Sequence, residues 1–95
     1  MVINTAAQEQ TKKIISYIVL CIKMFSKEFD LSFAESYRYL ENFGGLQFII
    51  KHYEIEHTLS IEDAIEDMQA VCRKNGGLIW YSIPKRRLNI ERMMN

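Results

Sequence analysis

The sequence predicts an all-α fold, a small bundle of about four helices followed by an extended or short-strand C-terminal tail. Three observations support this prediction. Apolar residues recur at three- and four-residue steps through most of the first 77 residues, two Ser-x-x-acid motifs mark helix starts, and two Gly-Gly pairs mark helix ends. We therefore assign residues 1–77 to a helical domain and residues 78–95 to a C-terminal tail of different character.

The first helix is predicted over residues 8–27 and presents one long apolar face. The residues of that face are Ile14, Ile18, Cys21, Ile22, Phe25 and Phe29. Ile15, Val19 and Leu20 widen the face to more than half of the circumference, leaving mainly Ser16 and four lysines for water. We expect a central core helix, with contact to a second chain as the alternative.

Ser32 begins the second helix, because the Ser32 and Glu35 side chains have the spacing of a capping box. This helix is predicted from Phe33 to Asn42, with Phe33, Tyr37 and Leu40 in the core, and the glycines at positions 44 and 45 end it. A short third helix is indicated by the spacing of Leu46, Ile49, Ile50 and Tyr53. Residues 54–59 are predicted to be a connection.

Ser60 repeats the capping pattern with Asp63 and begins a fourth helix over residues 61–74. Its acids lie in the first two turns and Arg73 and Lys74 in the last, which matches the helix dipole at both ends. The residues expected to be buried are Ile61, Ala64, Ile65, Met68, Val71 and Cys72.

The composition fits a folded domain, with 48% hydrophobic and 25% charged residues and a net charge of zero. Zero net charge excludes attraction of the whole molecule to nucleic acid or to an anionic membrane. The apolar stretch over residues 14–25 is too short to span a membrane, and residues 1–11 do not have the pattern of a secretory signal. We expect a cytoplasmic protein in which Cys21 and Cys72 are core thiols.

No catalytic, cofactor or metal site is predicted. His52 and His57 are five residues apart, a spacing that does not place two ligands on one helix face, and neither has a cysteine or histidine at zinc spacing. His57 is expected instead to fix a turn by bonding to loop backbone. The acidic pairs Glu62/Glu66 and Asp63/Asp67 are interpreted as a solvated helix face.

Charge is strongly segregated along the chain. Residues 54–67 contain six acids and no Lys or Arg, whereas residues 73–92 contain six basic residues and one acid. The tail also carries a dense apolar run, which is expected to be covered by the chain's own helices, a second copy or a foreign partner. The candidate partner-binding residues are Leu78, Ile79, Trp80, Tyr81, Ile83, Lys85, Arg86 and Arg87.

Residues 13–77 resemble a family of short bacterial proteins, domain of unknown function 3791. The resemblance rests on Ile18, Cys21 and Ile22, on Phe43-Gly44-Gly45, on Tyr53 with His57-Thr58, and on residues 61–68 leading to Gly76. It implies a compact helical domain. It also implies genes that lie beside those of a family related to ADP-ribosyltransferases, as in a toxin–antitoxin arrangement. The tail lies outside the resemblance.

The leading hypothesis is a non-enzymatic protein–protein interaction module, in its specific form the antitoxin-like partner of a neighbouring enzyme. The alternative is nucleic-acid binding through the tail, with Lys85, Arg86, Arg87 and Arg92 on phosphates and Trp80 or Tyr81 stacked on a base. An enzyme ranks third.

Overall fold

A computed structural model describes residues 5–77 of the chain as five helices. These are α1 (Thr5–Phe29), α2 (Phe33–Asn42), α3 (Gly45–Lys51), α4 (Tyr53–Glu56) and α5 (Ile61–Lys74). The predicted all-α fold is confirmed, and residues 5–77 contain no strand. The tail, residues 78–95, lies outside the described residues.

α1 extends further than predicted at both ends. It ends at Phe29 because Asp30 adopts the left-handed conformation, with φ of 57°, and the Leu31 amide then donates to the Ser26 carbonyl at 3.0 Å. This is the hydrogen bond of a Schellman motif, here with aspartate in place of the usual glycine. Leu31 packs against the core beside this turn, so the chain reverses tightly into α2.

α2 begins with the predicted capping box. The Glu35 amide donates to Ser32 Oγ at 3.0 Å, and the Ser32 amide donates to Glu35 Oε1 at 2.8 Å. The predicted core set was wrong in part, since Leu40 is buried but Phe33 is 45% exposed and Tyr37 is half-buried.

The buried face of α2 is instead formed by Ser36, Tyr39 and Leu40. Ser36 Oγ lies 2.8 Å from Ser26 Oγ, which donates in turn to the Ile22 carbonyl at 2.7 Å. These small hydroxyl side chains lie at the contact between α1 and α2. With Ser36 turned toward α1, Phe33 lies at the edge of the contact, where it remains accessible to solvent.

The predicted helix stop after α2 is present: Phe43 and Gly44 separate α2 from α3, and Gly45 is the first residue of α3. Gly44 has φ of 87°. A Cβ atom at position 45 would lie 2.8 Å from both Cys72 Sγ and Leu40 Cδ2, so glycine allows α3 to approach α5 closely. The Asn75 side chain donates to the Phe43 carbonyl at 2.8 Å and ties the end of α5 to this turn.

The connection predicted at residues 54–59 contains a further short helix. α4 forms because the His52 carbonyl, which ends α3, accepts from the amides of Ile55 at 3.1 Å and Glu56 at 2.9 Å. Tyr53, assigned from its spacing to the third helix, therefore lies in α4.

α5 matches its prediction most closely. The Asp63 amide donates to Ser60 Oγ at 3.1 Å. Ala64, Ile65, Met68 and Cys72 are buried, whereas Ile61 and Val71 are half-buried.

The core lies where α1, α2, α3 and α5 meet. Its fully buried large side chains are Cys21, Phe25, Leu40, Ile49, Met68 and Cys72. The expected widening of the α1 core face was wrong, because Ile15, Val19 and Leu20 are exposed. α1 has 25 residues and α2 has 10, so α2 is about 15 Å long beside a helix of about 37 Å and leaves part of α1 uncovered.

Candidate interaction surfaces

The outer side of α1 carries apolar residues that the fold does not bury. Ile15 is 55% exposed, Leu20 is 47% exposed, and Val19 lies between them in the sequence at 40%. Ile15 and Val19, four positions apart, are neighbours on the helix surface, and Leu20 lies about 100° further round the helix. Together they give the outer side of α1 more apolar surface than single exposed residues, which are ordinary on protein surfaces.

Lysines lie among these apolar residues. Residues 12–27 include four lysines and no acid, and Lys12, Lys13, Lys23 and Lys27 are all exposed. We call the exposed part of α1, with its three aliphatic residues and four lysines, the α1 outer face. It combines apolar area with positive charge.

A shallow groove of about 420 Å³ continues the α1 outer face toward the start of α2. Its lining residues are Leu20, Lys23, Met24, Ser26, Lys27 and Phe33. The exposed ring of Phe33 forms one wall of this groove. The face therefore has a concave, partly aromatic end.

A second candidate surface carries the opposite, negative charge. We call it the acidic corner: α4, the following loop and the first two turns of α5, with the acids Glu54, Glu56, Glu62, Asp63, Glu66 and Asp67. Ile55, at 64% exposed, and Leu59, at 39%, supply apolar surface here. The predicted solvated pairs are exposed except at Asp67, which is half-buried.

Glu56 is the buried acid of this corner. The residue is 5% exposed, and its Oε1 atom has no hydrogen-bond partner among the described residues. Burial, the hydrogen bond with Asp67 and the negative charges of Asp67 and Asp63 raise the pKa of Glu56 to about 7. Two carboxyl groups joined by a hydrogen bond must share a proton, so near neutral pH this pair is poised between one and two negative charges.

α1 packs against Glu56 through an aromatic contact. Tyr17 Oη donates to the Glu56 carbonyl oxygen at 3.0 Å, and the Tyr17 ring meets the Tyr53 ring edge-on at a centroid distance of 5.5 Å. Burial, with Cys21 and Glu56 nearby, raises the pKa of Tyr17 above its usual range. Tyr17 therefore acts as a neutral hydrogen-bond donor.

Both cysteines are buried free thiols, as predicted. Burial raises the pKa of Cys21 and of Cys72 to about 11 in each case. The thiolate is the reactive form of cysteine, and a raised pKa keeps these side chains protonated at neutral pH. Their geometry is that of core packing.

His57 has the geometry expected of a residue that fixes a turn. Its Nδ1 atom lies 2.6 Å from the Tyr53 carbonyl oxygen, and its ring stacks on the Tyr53 ring at 4.4 Å. Thr58 Oγ1 donates to the Ile55 carbonyl at 2.6 Å in the same turn. Within residues 5–77, no group of three or more His, Cys, Asp or Glu side chains is arranged to hold a metal ion.

The residues singled out in the tail, residues 78–87, all lie outside the described residues. The sequence analysis did not identify Glu56, and it gave contact of the first helix with a second chain only as an alternative. A signal for Glu56 was present, since it lies three residues after Tyr53 and thus on the same side of a helical turn.

Comparison with known families supports the resemblance stated above. The profile of a family described as "Protein of unknown function (DUF3791)" matches residues 16–75, which is more than half of the chain. The chain belongs to the DUF3791 family. No curated protein and no solved structure matches it. Across the described part of this DUF3791 protein, no helix combines the length and apolarity that crossing a membrane requires.

Proposed function

We propose that this DUF3791 protein is a non-enzymatic protein–protein interaction module whose docking surface is the α1 outer face. The observation that supports this most strongly is the exposure of Ile15, Val19 and Leu20 on the helix that supplies much of the core. A patch that the fold leaves in water without a structural need is typical of an interface.

The energetic gain from covering this patch is sufficient for specific binding. Fully burying one aliphatic side chain of this size contributes roughly 1.5 to 3 kcal/mol. Three such residues, with Phe33 at the end of the groove, supply apolar anchors, and the lysines between and beside them supply positive charge. Interfaces commonly combine a few apolar anchors with charged neighbours.

The charge of the face defines the chemistry of the partner. A second copy docked α1 against α1 would bring lysines near lysines, which opposes association. In an apolar segment flanked by Asp or Glu, the acids would pair with those lysines, which would raise the association rate and the specificity of binding. The proposed partner is therefore a protein that offers an apolar, acidic helix or strand.

The antitoxin-like role implied by the family resemblance is the specific form of this proposal. In that form, the chain holds or occludes an enzyme encoded beside it. The buried, protonated thiols of Cys21 and Cys72 are consistent with a binding role, since neither is placed to act as a nucleophile.

The experiment is a comparative capture from the native host with identification of the partner, followed by affinity measurement with the purified pair. The test variant is Ile15→Glu with Val19→Glu, which places negative charge on the face. The matched control is Arg38→Glu with Asn42→Glu, two exposed positions on α2 outside the groove. We expect one recurrent acidic partner with wild type and control, and at least a roughly 100-fold loss of affinity in the test variant.

Three results would contradict the proposal. The first is the absence of a recurrent partner in the wild-type capture, and the second is a test variant that binds as tightly as the control. The third is a test variant that loses both its helical circular dichroism and its binding, when the milder variant Ile15→Ser with Val19→Ser stays folded and still binds the partner. Recovery of nucleic acid instead of a protein would favour the alternative function.

A further inference from the structure

The acidic corner shows an imbalance of charge that the described residues do not correct. We propose that it is the docking site for the basic cluster Lys85, Arg86 and Arg87 of the same chain. This inference concerns a different surface from the α1 outer face and does not depend on the proposed function.

The first support is the unpartnered carboxyl oxygen of Glu56. It lies in a residue that is only 5% exposed, and its carboxyl group interacts with the side chain of Asp67 and the charge of Asp63. Burying a carboxylate beside two others is costly unless a cation or a donor accompanies it. A guanidinium placed beside Asp67 would supply positive charge and paired N–H donors to the carboxyl groups of Glu56 and Asp67.

The second support is the complementary charge of the two segments. The acidic corner has six acids and no Lys or Arg over residues 54–67, and the cluster places three bases in succession. The groups that face Glu56 from other elements are Tyr17 and Cys21 on α1 and Asp63 and Asp67 on α5, and none of these is a base. Along the chain, Glu56 lies between Tyr53, at the start of α4, and His57, which follows α4.

The third support is reach. Gly77 marks the start of the segment, since Tyr39 Oη donates to its carbonyl at 2.6 Å and its amide donates to the Cys72 carbonyl at 2.8 Å. From this anchor at the end of α5, an extended chain of eight residues to Lys85 covers up to about 26 Å. α5 has 14 residues and is about 21 Å long, so the cluster can return to the first turns of α5.

The corner also offers apolar contacts for the residues on either side of the cluster. Ile55 and Leu59 are exposed there, and the sequence places Ile83 before the cluster and Leu88 after it. Contacts between these four residues would add to the charge pairing. Pairing of exposed charges contributes little when it acts alone.

Trp80 provides the test, because it is the only tryptophan of the chain and lies between the Gly77 anchor and the cluster. Its emission and its quenching by acrylamide are measured in the full-length protein at low ionic strength. One variant reverses the cluster (Lys85→Glu, Arg86→Glu, Arg87→Glu), a second reverses the corner (Glu62→Lys, Asp63→Lys, Glu66→Lys, Asp67→Lys), which leaves two acids and four lysines there, and a third combines all seven changes. Glu9→Lys with Glu41→Lys, two exposed acids outside the corner, is the control.

We expect a red shift and increased quenching of Trp80 in each single-segment variant, no change in the control, and recovery in the combined variant because the charges are again opposite. If the reversed corner does not fold, Asp63→Asn with Asp67→Asn replaces it as a single-segment variant only, and the combined variant is then left out. Unchanged Trp80 signals in both single-segment variants, or no recovery in the combined variant, would overturn the proposal. A wild-type signal that changes on dilution would also overturn it, since the cluster would then occupy the corner of a second copy.

Discussion

The α1 outer face and the acidic corner carry opposite charge, and they expose apolar residues for different structural reasons. On α1, Ile15, Val19 and Leu20 belong to a regular helix but lie outside its core-packing face, so they are a surplus beyond what the core requires. In the acidic corner, Ile55 and Leu59 lie in a short helix and a loop, next to a carboxyl group that is buried without full hydrogen bonding.

This difference separates a surface that can change without cost to the fold from one that cannot. The α1 outer face can lose or gain side chains with little effect on stability, because its residues contact solvent. The acidic corner includes Glu56, whose protonation contributes to the stability of the fold. Substitutions on the α1 outer face should therefore affect binding, and substitutions in the acidic corner should affect stability.

The largest expected effect is the pH dependence that Glu56 introduces. Its pKa is about 7 in the folded state, against an ordinary value of 4.5. Between these values the folded protein holds a proton that the unfolded chain has released, so the free energy of unfolding should fall as the pH rises from about 4.5 to 7 and stay low above. The predicted loss is roughly 2 to 3 kcal/mol, measured by urea unfolding at pH 5 and pH 8.

Glu56→Gln should flatten most of this dependence, because the amide cannot ionise, and it should be the more stable protein at pH 8. The measurement belongs in about 0.5 M salt, where pairing of exposed charges is screened. A wild-type profile that is flat, or a Glu56→Gln profile as steep as that of wild type, would show that Glu56 does not hold the proton.

An intermediate effect is expected at the start of α5, on the border of the acidic corner. Ser60→Ala removes the oxygen that accepts from the Asp63 amide at 3.1 Å, and it should lower the free energy of unfolding by about 1 kcal/mol. Ser60→Asp serves as the control, since aspartate caps as well as serine. Equal urea midpoints for wild type and Ser60→Ala would mean that the cap contributes nothing.

The smallest effect is expected on the α1 outer face. Val19→Ala with Leu20→Ala should change the stability by no more than about 0.5 kcal/mol per position, as is usual for exposed substitutions. Phe25→Ala, on the buried side of the same helix, is the contrast and should cost roughly 3 to 5 kcal/mol. A large loss of stability in the outer-face variant would indicate that these residues pack within the fold and are not free for a partner.

The sequence predicted the helices well where local signals were strong. Ser32 with Glu35 and Ser60 with Asp63 located two helix starts, and Gly44 located a turn, because each of these signals acts through its own backbone. The end of α1 was placed two residues early, since Asp30 in the left-handed conformation is a less usual helix stop than glycine.

Burial was predicted less well, because it depends on which neighbours reach each face. Periodicity placed Phe33 in the core, but the pairing of Ser36 with Ser26 turns α2 and leaves Phe33 at the edge. Periodicity likewise extended the core to Ile15, Val19 and Leu20, which lie outside the face of α1 that packs against the other helices. Glu56 was not identified from the sequence, since its spacing from Tyr53 is a weak signal and its burial requires the tertiary contact between α4 and α5.

Hydrogen–deuterium exchange of the free protein and of its complex with the captured partner tests the central claim most directly. We predict that the partner slows exchange of the α1 amides around residues 12–27 and at the start of α2, while α5 changes little. Protection confined to α4 and α5, with α1 unchanged, would contradict the assignment of the α1 outer face as the docking surface.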